Sequence, residues 1–112
     1  PALKGKLNGT AVRVPTPNVS LVDLTVELEK PASAQEINAA FKSAADGALK
    51  GVLKYSEEPT VSVDYNHDPH SSIFDATSTF VIEGTFAKVF AWYDNEWGFS
   101  NRMVDVVKYL TK

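Results

Sequence analysis

A ten-residue stretch from Trp92 to Asn101, WYDNEWGFSN, carries the residue types best suited to holding a ligand. Two Trp, one Tyr and one Phe surround the polar residues Asp94, Asn95 and Glu96. Large aromatic rings can keep a pocket dry, and a short amide or carboxylate beside them can hydrogen-bond a ligand. The alternative is a hydrophobic hinge in which Asp94 or Asn95 only caps the helix that follows. Composition leaves both interpretations open.

Arg13 is the second candidate for ligand binding. Arg13 and Arg102 are the only arginines in the sequence, and Arg13 precedes a stiff Pro-Thr-Pro segment. A guanidinium group binds phosphate oxygens through a two-pronged fork, and Thr16 and Asn18 add polar groups close by. The alternative is a solvent-facing Arg13 paired with an acidic side chain. Residue types alone do not separate these two roles.

His67, Asp68 and His70 superficially resemble a metal-binding loop, with Asp64 and Asp75 nearby. Two His three positions apart could reach one ion, and carboxylates could complete the site. The segment also contains Asp-Pro, which is typical of a turn. Since no Cys and no second ligand pair accompany it, we predict neither a metal site nor a general base here.

Length and composition indicate one domain without a nucleic-acid or membrane partner. The chain has 112 residues and a formal net charge of −3, without the clustered Lys and Arg that nucleic acid or anionic membranes require. It contains no Cys, which excludes disulfides, thiolate metal sites and a thiol nucleophile within these residues. No apolar run approaches the roughly 18 residues of a membrane span, and no signal peptide is visible. We therefore expect a cytoplasmic protein.

Hydrophobic periodicity predicts the elements that position these candidates. A strand is expected to begin within residues 10–17, and a clearer one alternates apolar and polar residues over residues 19–29. A capping box of Ser33 and Glu36 starts a helix predicted from Ala34 to about Asp46. Short extended pieces are predicted at residues 51–55 and 60–65, followed by a turn at residues 66–72.

The second half of the chain predicts more strands and a final helix. Strands are expected at residues 71–76, 78–83 and 85–92, with a hairpin turn at Glu83-Gly84 and the last strand in the middle of the sheet. The final helix, residues 97–111, carries an apolar stripe of Phe99, Met103, Val106, Val107 and Leu110. The predicted class is α+β: a mixed, mostly antiparallel sheet with one helix on its face and a C-terminal helix.

Two of these motifs resemble segments of the phosphorylating glyceraldehyde-3-phosphate dehydrogenase family. The stretch WYDNEWGFSN resembles its WYDNE(W/T)G(F/Y)SN segment, and VRVPTPNVSLVDLTVEL is similar to its phosphate-binding strand. The intervening LKGVLKYSEEPTVSVDYNHDPHSSIFD follows the family's pattern too, so the resemblance extends from Leu3 to Lys112. Phe99 departs from it, because many members have Tyr there.

The resemblance implies roles for two residues. Arg13 matches the Arg that binds a phosphate of the sugar phosphate substrate or the attacking inorganic phosphate. Asn95 matches the Asn that holds the carboxamide of the nicotinamide ring of NAD or NADP. His67 and His70 do not match the family's catalytic His, and its catalytic Cys has no counterpart here. No catalytic residue is therefore assigned.

The resemblance also implies how the chain is organised. Residues 1–94 would form part of the catalytic domain, and residues 95–112 the terminal helix that packs on a cofactor domain absent from this sequence. We expect a carboxy-terminal part of the enzyme that is inactive alone, binds no cofactor tightly and forms homo-oligomers. Two alternatives stay open: a fragment of the related erythrose-4-phosphate dehydrogenase, and a non-catalytic interaction module.

Overall fold

A four-stranded mixed sheet forms the centre of the chain in the computed structural model, which describes residues 2–111. The spatial order is β1-β4-β3-β2, with β4 antiparallel to both neighbours and β2 parallel to β3. The α+β class is confirmed. The elements in chain order are β1 (Ser20–Glu27), α1 (Ala34–Asp46), β2 (Leu53–Ser56), a 3₁₀ turn (Ser62–Tyr65), β3 (Ser72–Ile82), β4 (Phe86–Tyr93) and α2 (Trp97–Leu110).

The helix α1 covers one face of the sheet, as predicted. Its capping box is confirmed, because the Ser33 hydroxyl accepts from the Glu36 N–H at 3.2 Å and Glu36 Oε2 accepts from the Ser33 N–H at 2.7 Å. The ring of Phe41 stacks on that of Phe74 with centroids 3.9 Å apart. The buried core on this face consists of Ala45, Leu53, Phe74, Ala76 and Val89.

The opposite face of the sheet is covered only at one end. Ile73 is fully buried there beneath Val19 and Tyr65, and Trp92 packs against them. Farther along this face, the register of β1, β3 and β4 places apolar side chains beside one another. No element within residues 2–111 covers them, so they are exposed. These exposed apolar residues are Leu21, Phe80, Ile82 and Phe86, each 41–52% exposed.

The strand predicted within residues 10–17 is wrong. No strand forms there, and Val12 and Val14 are 80% and 64% exposed. Pro15 and Pro17 have no N–H to donate to a ladder, and Thr16 N–H donates back to the Val14 carbonyl at 2.8 Å. Local hydrogen bonding therefore replaces strand pairing, and the outer edge of β1 is unpaired within residues 2–111.

The extended piece predicted at residues 60–65 is also wrong. Asp64 Oδ2 accepts from the Val61 N–H at 2.8 Å, which curls the chain into the 3₁₀ turn. Tyr65 is consequently turned inward, is 3% exposed, and its hydroxyl lies 2.5 Å from Thr60 Oγ1. Side-chain hydrogen bonds to nearby backbone thus override the alternating pattern.

The two strands predicted at residues 71–76 and 78–83 form one strand, β3, with an irregularity between Asp75 and Phe80. The buried Asp75 carboxylate accepts there from the Thr77 N–H at 3.0 Å and from the hydroxyls of Thr77 and Ser78. These contacts absorb the shift in register without ending the strand.

The hairpin at Glu83-Gly84 and the central position of β4 are confirmed. Glu83 and Gly84 have φ angles of 51° and 75°. Ile82 pairs with Phe86, so the loop has three residues, and positive φ at Glu83 and Gly84 lets the chain reverse direction within it. β4 lies between β1 and β3, so both of its edges are hydrogen-bonded.

The helix α2 is attached to the rest of the fold through its first turns. A Cβ on the buried Gly98 would lie 2.9 Å from the His70 carbonyl oxygen, so the helix can approach this closely only with glycine. Arg102 donates to the Gly51 carbonyl at 2.9 Å and pairs with Asp105. No helix within residues 2–111 has the length and apolar character to cross a membrane.

The apolar stripe of α2 is not covered by any part of the chain that the structure describes. Its five members, Phe99, Met103, Val106, Val107 and Leu110, are each 52–75% exposed. Burying an apolar side chain of this size contributes about 1.5–3 kcal/mol, so their exposure leaves a large driving force for association.

We expect the isolated 112-residue chain to form dimers or larger assemblies, and sedimentation velocity across a concentration series measures this. Met103→Lys should shift the population toward monomer because it places a charge in the stripe. Val104→Lys is the matched control, because Val104 is equally exposed at 53% but lies beside the stripe. A monomer at all concentrations would contradict the prediction.

Candidate functional site

The carboxylate of Asp94 is the centre of the polar cluster at the end of β4. Asp94 is 1% exposed and lies between β4 and α2. It accepts four hydrogen bonds, from the amide of Asn18 and from the backbone N–H groups of His67, Glu96 and Trp97. A buried carboxylate is tolerated only when its oxygens are paired in this way.

The two oxygens of Asp94 have separate partners. Oδ1 accepts from the N–H groups of Glu96 at 3.1 Å and Trp97 at 2.8 Å, and so caps the first turn of α2. Oδ2 accepts at 2.9 Å from Asn18 Nδ2 and from the His67 N–H. One side chain thus joins three segments that are distant in sequence.

These donors also determine the ionisation of the group. Burial raises the pKa of the Asp94 carboxyl, but the N–H groups of Trp97 and His67, the Asn18 amide and the Glu96 N–H together outweigh it. The pKa therefore lies below its ordinary value of 3.8, and Asp94 is a carboxylate at neutral pH. Its negative charge is also favourable at the N-terminal end of α2.

Asn18 and Val19 form the other side of the cluster. The Asn18 amide donates to Asn66 Oδ1 as well as to Asp94, and its own Oδ1 accepts from the Val19 N–H at 2.8 Å. Val19 has a φ of 67°, which costs a β-branched residue about 1–3 kcal/mol. The hydroxyl of Ser62 donates to the carbonyls of both residues and stabilises this conformation.

The His-Asp-Pro-His segment forms a turn whose histidines have separate contacts. The centroids of the His67 and Trp97 rings lie 4.7 Å apart. His70 Nδ1 lies 2.7 Å from Asp68 Oδ1, and Lys54 Nζ lies 2.9 Å from the other oxygen. Burial raises the pKa of Asp68, but hydrogen bonds from His70 and Lys54 outweigh this and lower it. No group of three or more His, Asp or Glu in residues 2–111 is placed to hold a metal ion.

Arg13 and Asn95 are both exposed, and the structure does not bring them into contact. Neither side chain has a hydrogen-bond or ion-pair partner among residues 2–111. Two open grooves lie beside α1, one at residues 31–36 and one between α1 and β2, and neither includes Arg13 or Asn95. Both side chains are therefore open to solvent, and the described residues do not enclose them.

The structure shows which of residues 94 and 95 caps the final helix. Asp94 is the helix cap, and Asn95 has no part in capping. The link between Asp94 and Asn18 was not predicted, although both residues had been noted as polar. They are 76 positions apart, and no periodicity or local motif connects them.

The profile of a family described as "Glyceraldehyde 3-phosphate dehydrogenase, C-terminal domain" matches residues 1–95. The chain belongs to this family. The match includes Arg13, Asn18, Asp94 and Asn95, and so both candidate binding residues; Glu96 and Trp97 of the polar cluster follow directly after it.

Curated relatives of this dehydrogenase family align along almost the whole chain. Glyceraldehyde-3-phosphate dehydrogenase 1 of Bacillus cereus is 65% identical over 111 residues, covering 99% of this chain and 33% of the relative. The protein of the same name from Bacillus subtilis (strain 168) is 62% identical over 112 residues, covering 100% and 33%. Glyceraldehyde-3-phosphate dehydrogenase 1 of Caenorhabditis elegans is 56% identical over 110 residues, covering 98% and 32%. The chain thus spans about a third of the length of these relatives.

The lowered pKa of Asp94 makes the stability of this dehydrogenase domain depend on acid pH. Its contribution is complete above the ordinary value of 3.8 and is lost as pH falls through the lower pKa of the folded state. We expect Asp94→Asn to lower the free energy of unfolding at pH 7 by about 1–3 kcal/mol. Below about pH 4, the unfolding free energy of this variant should fall less steeply with decreasing pH than that of the parent. Urea unfolding from pH 7 to pH 2 measures both.

Asp46→Asn is the control for this experiment, because Asp46 is exposed and its carboxylate has no hydrogen-bond partner among the described residues. It should leave the unfolding free energy at pH 7 within about 0.5 kcal/mol of the parent. An unchanged pH dependence in Asp94→Asn would contradict the assigned role of this carboxylate.

Proposed function

We propose that this chain is part of a phosphorylating glyceraldehyde-3-phosphate dehydrogenase, an oxidoreductase that uses NAD or NADP, a sugar phosphate and inorganic phosphate. The observation that carries the proposal is the family match over residues 1–95, together with 65% identity to a relative of that name. All the relatives described above are named for the triose substrate, which favours it over erythrose phosphate.

Arg13 is proposed to bind phosphate. Its guanidinium group is exposed and has no carboxylate partner among the described residues, so its N–H donors are available to phosphate oxygens. The rigid Pro-Thr-Pro segment that follows leads directly to Asn18, which is hydrogen-bonded at both its side chain and its carbonyl. The site is therefore anchored at one end, which reduces the entropy lost when phosphate binds.

Asn95 is proposed to hold the carboxamide of the nicotinamide ring. An amide side chain can donate to the carboxamide oxygen and accept from its nitrogen at the same time. The Asn95 amide fits this role because it is exposed and makes no hydrogen bond within residues 2–111, while the backbone around it is held by Asp94. When bound, the cofactor supplies the acceptor for the electrons of aldehyde oxidation.

The proposed roles predict a crossed pattern in the complete enzyme that contains this chain. Arg13→Lys keeps the charge but loses the two-pronged fork, so the dissociation constant for inorganic phosphate should rise about tenfold while cofactor binding stays unchanged. Asn95→Asp should raise the dissociation constant for the cofactor and leave that for inorganic phosphate unchanged, because a carboxylate cannot donate to the carboxamide oxygen. Isothermal titration calorimetry measures both ligands.

Each of these variants serves as the control for the other, because both residues are exposed and neither is a structural contact. A variant that weakens both ligands equally, or neither, would overturn the role assigned to it. Circular dichroism of each protein establishes that the fold is intact before the titrations are compared.

The 112-residue chain alone is expected to be inactive and to bind no cofactor tightly. A thioester-forming aldehyde dehydrogenation requires a nucleophile such as a thiolate, and the sequence contains no Cys. His67 packs on Trp97 and His70 pairs with Asp68, so neither imidazole stands beside a nucleophile. Assays with glyceraldehyde 3-phosphate, inorganic phosphate and NAD or NADP should show no turnover. Turnover that persists after contaminating complete enzyme is removed would disprove this.

A further inference from the structure

We propose that Asp94 is a positioning residue that holds the Arg13–Asn18 segment and the turn at Asn95 in one fixed arrangement. The inference rests on the function proposed above, because it concerns the two ligand-binding residues named there. Asp94 touches neither ligand in this proposal. It acts through the segments that carry Arg13 and Asn95.

On the cofactor side, Asp94 holds the backbone on either side of Asn95. Asp94 directly precedes Asn95, and its Oδ1 accepts from the N–H groups of the next two residues, Glu96 and Trp97. Its carbonyl accepts from the Gly98 N–H at 3.0 Å. The turn is therefore closed around Asn95 while the Asn95 amide itself stays exposed.

On the phosphate side, Asp94 holds the end of the segment that carries Arg13. Its Oδ2 lies 2.9 Å from Asn18 Nδ2, and Asn18 lies five positions after Arg13. Pro15 and Pro17 restrict φ at two of the intervening positions. A displacement of Asn18 would consequently be transmitted to Arg13 with little loss along this short, stiff segment.

A simple helix cap does not account for these contacts. Capping requires one side-chain oxygen that accepts from the first turn, and Oδ1 does this alone. Oδ2 instead accepts from residues 27 and 76 positions away. The second oxygen thus connects distant segments. Its removal should weaken the binding of both the cofactor and inorganic phosphate.

Asn18→Ala in the complete enzyme that contains this chain tests the connection. It removes one of the two donors to Oδ2, together with the Asn18 contacts to Asn66 and the Val19 N–H, and leaves the cap in place. We expect the dissociation constants for NAD or NADP and for inorganic phosphate both to rise about tenfold, the amount that one hydrogen bond to a charged group is worth. Calorimetric titration with each ligand separately gives the two constants without relying on turnover.

Asn38→Ala is the matched control. The Asn38 amide also joins distant segments, donating to the Ala76 carbonyl at 3.0 Å, but it lies between α1 and β3. We expect it to lower the melting temperature, because it too removes a hydrogen bond between distant segments, while leaving both dissociation constants within about twofold of the parent. A loss of binding in both variants would mean that general destabilisation is the cause, and the proposal would fail.

Asp94→Ser separates the cap from the connection, because a serine hydroxyl can cap a helix but offers no second oxygen to Asn18. It should weaken both ligands as Asn18→Ala does. If the two residues act through one contact, combining Asn18→Ala with Asp94→Ser should reduce ligand affinity no further than the more damaging single substitution does. Additive effects would overturn the proposal.

If Asn18→Ala does not fold, the exchanged pair Asn18→Asp with Asp94→Asn retains a carboxylate-amide contact. Each single exchange should weaken both ligands, and the pair should restore at least half of the lost binding free energy. A folded double variant without this recovery would overturn the positioning role.

If Arg13→Lys and Asn95→Asp have no effect on their ligands, the proposed function itself fails. If those two variants act as expected and Asn18→Ala changes neither ligand, only the positioning role fails.

Discussion

The buried carboxylate of Asp94 is the interaction on which the arrangement of the C-terminal part of this chain depends. It is the only side chain among the described residues that accepts from the 18–19 loop, the 66–70 turn and the start of α2 together. Without its two oxygens, four N–H donors would lose an acceptor. An unsatisfied buried donor costs about 1–3 kcal/mol. The strain at Val19 and the close approach of Gly98 to His70 both lie beside this centre, so the backbone tolerates unusual geometry where the hydrogen bonding is densest.

The regular elements were predictable where local chemistry and tertiary packing agree. The Ser33–Glu36 box, the alternation of β4 and the turn at Glu83-Gly84 each act within a few residues, and each was confirmed. Predictions failed where side-chain hydrogen bonds changed the backbone. Asp64 curls the chain into the 3₁₀ turn, and Asp75 lets β3 continue through the break predicted near residue 77. The strand predicted at residues 10–17 failed because Pro15 and Pro17 cannot donate to a ladder, and the outer edge of β1 has no partner strand within residues 2–111.

The polar site was predictable only in its residue types. Arg13 and Asn95 were selected from the sequence by their resemblance to known motifs, and their ligands stay predictions. The contact between Asp94 and Asn18, which links their segments, could not be predicted. Asp94 and Asn18 meet because β1 pairs with β4, which brings the start of one strand beside the end of the other. Contacts of this kind follow from sheet topology. Their partners are separated by most of the chain and leave no local signal.

The attachment of α2 by its first turns has a mechanical consequence. From Gly98 to Leu110 the helix extends about 18 Å, at roughly 1.5 Å per residue, beyond its closest contact with the fold. A rotation of about 10° at that contact moves the far end by about 3 Å at this helix length. The helix can therefore pivot about its first turn, which lies beside Asp94. Contacts made by its distal turns would therefore act on the fold through the base of the helix at Gly98 and Arg102.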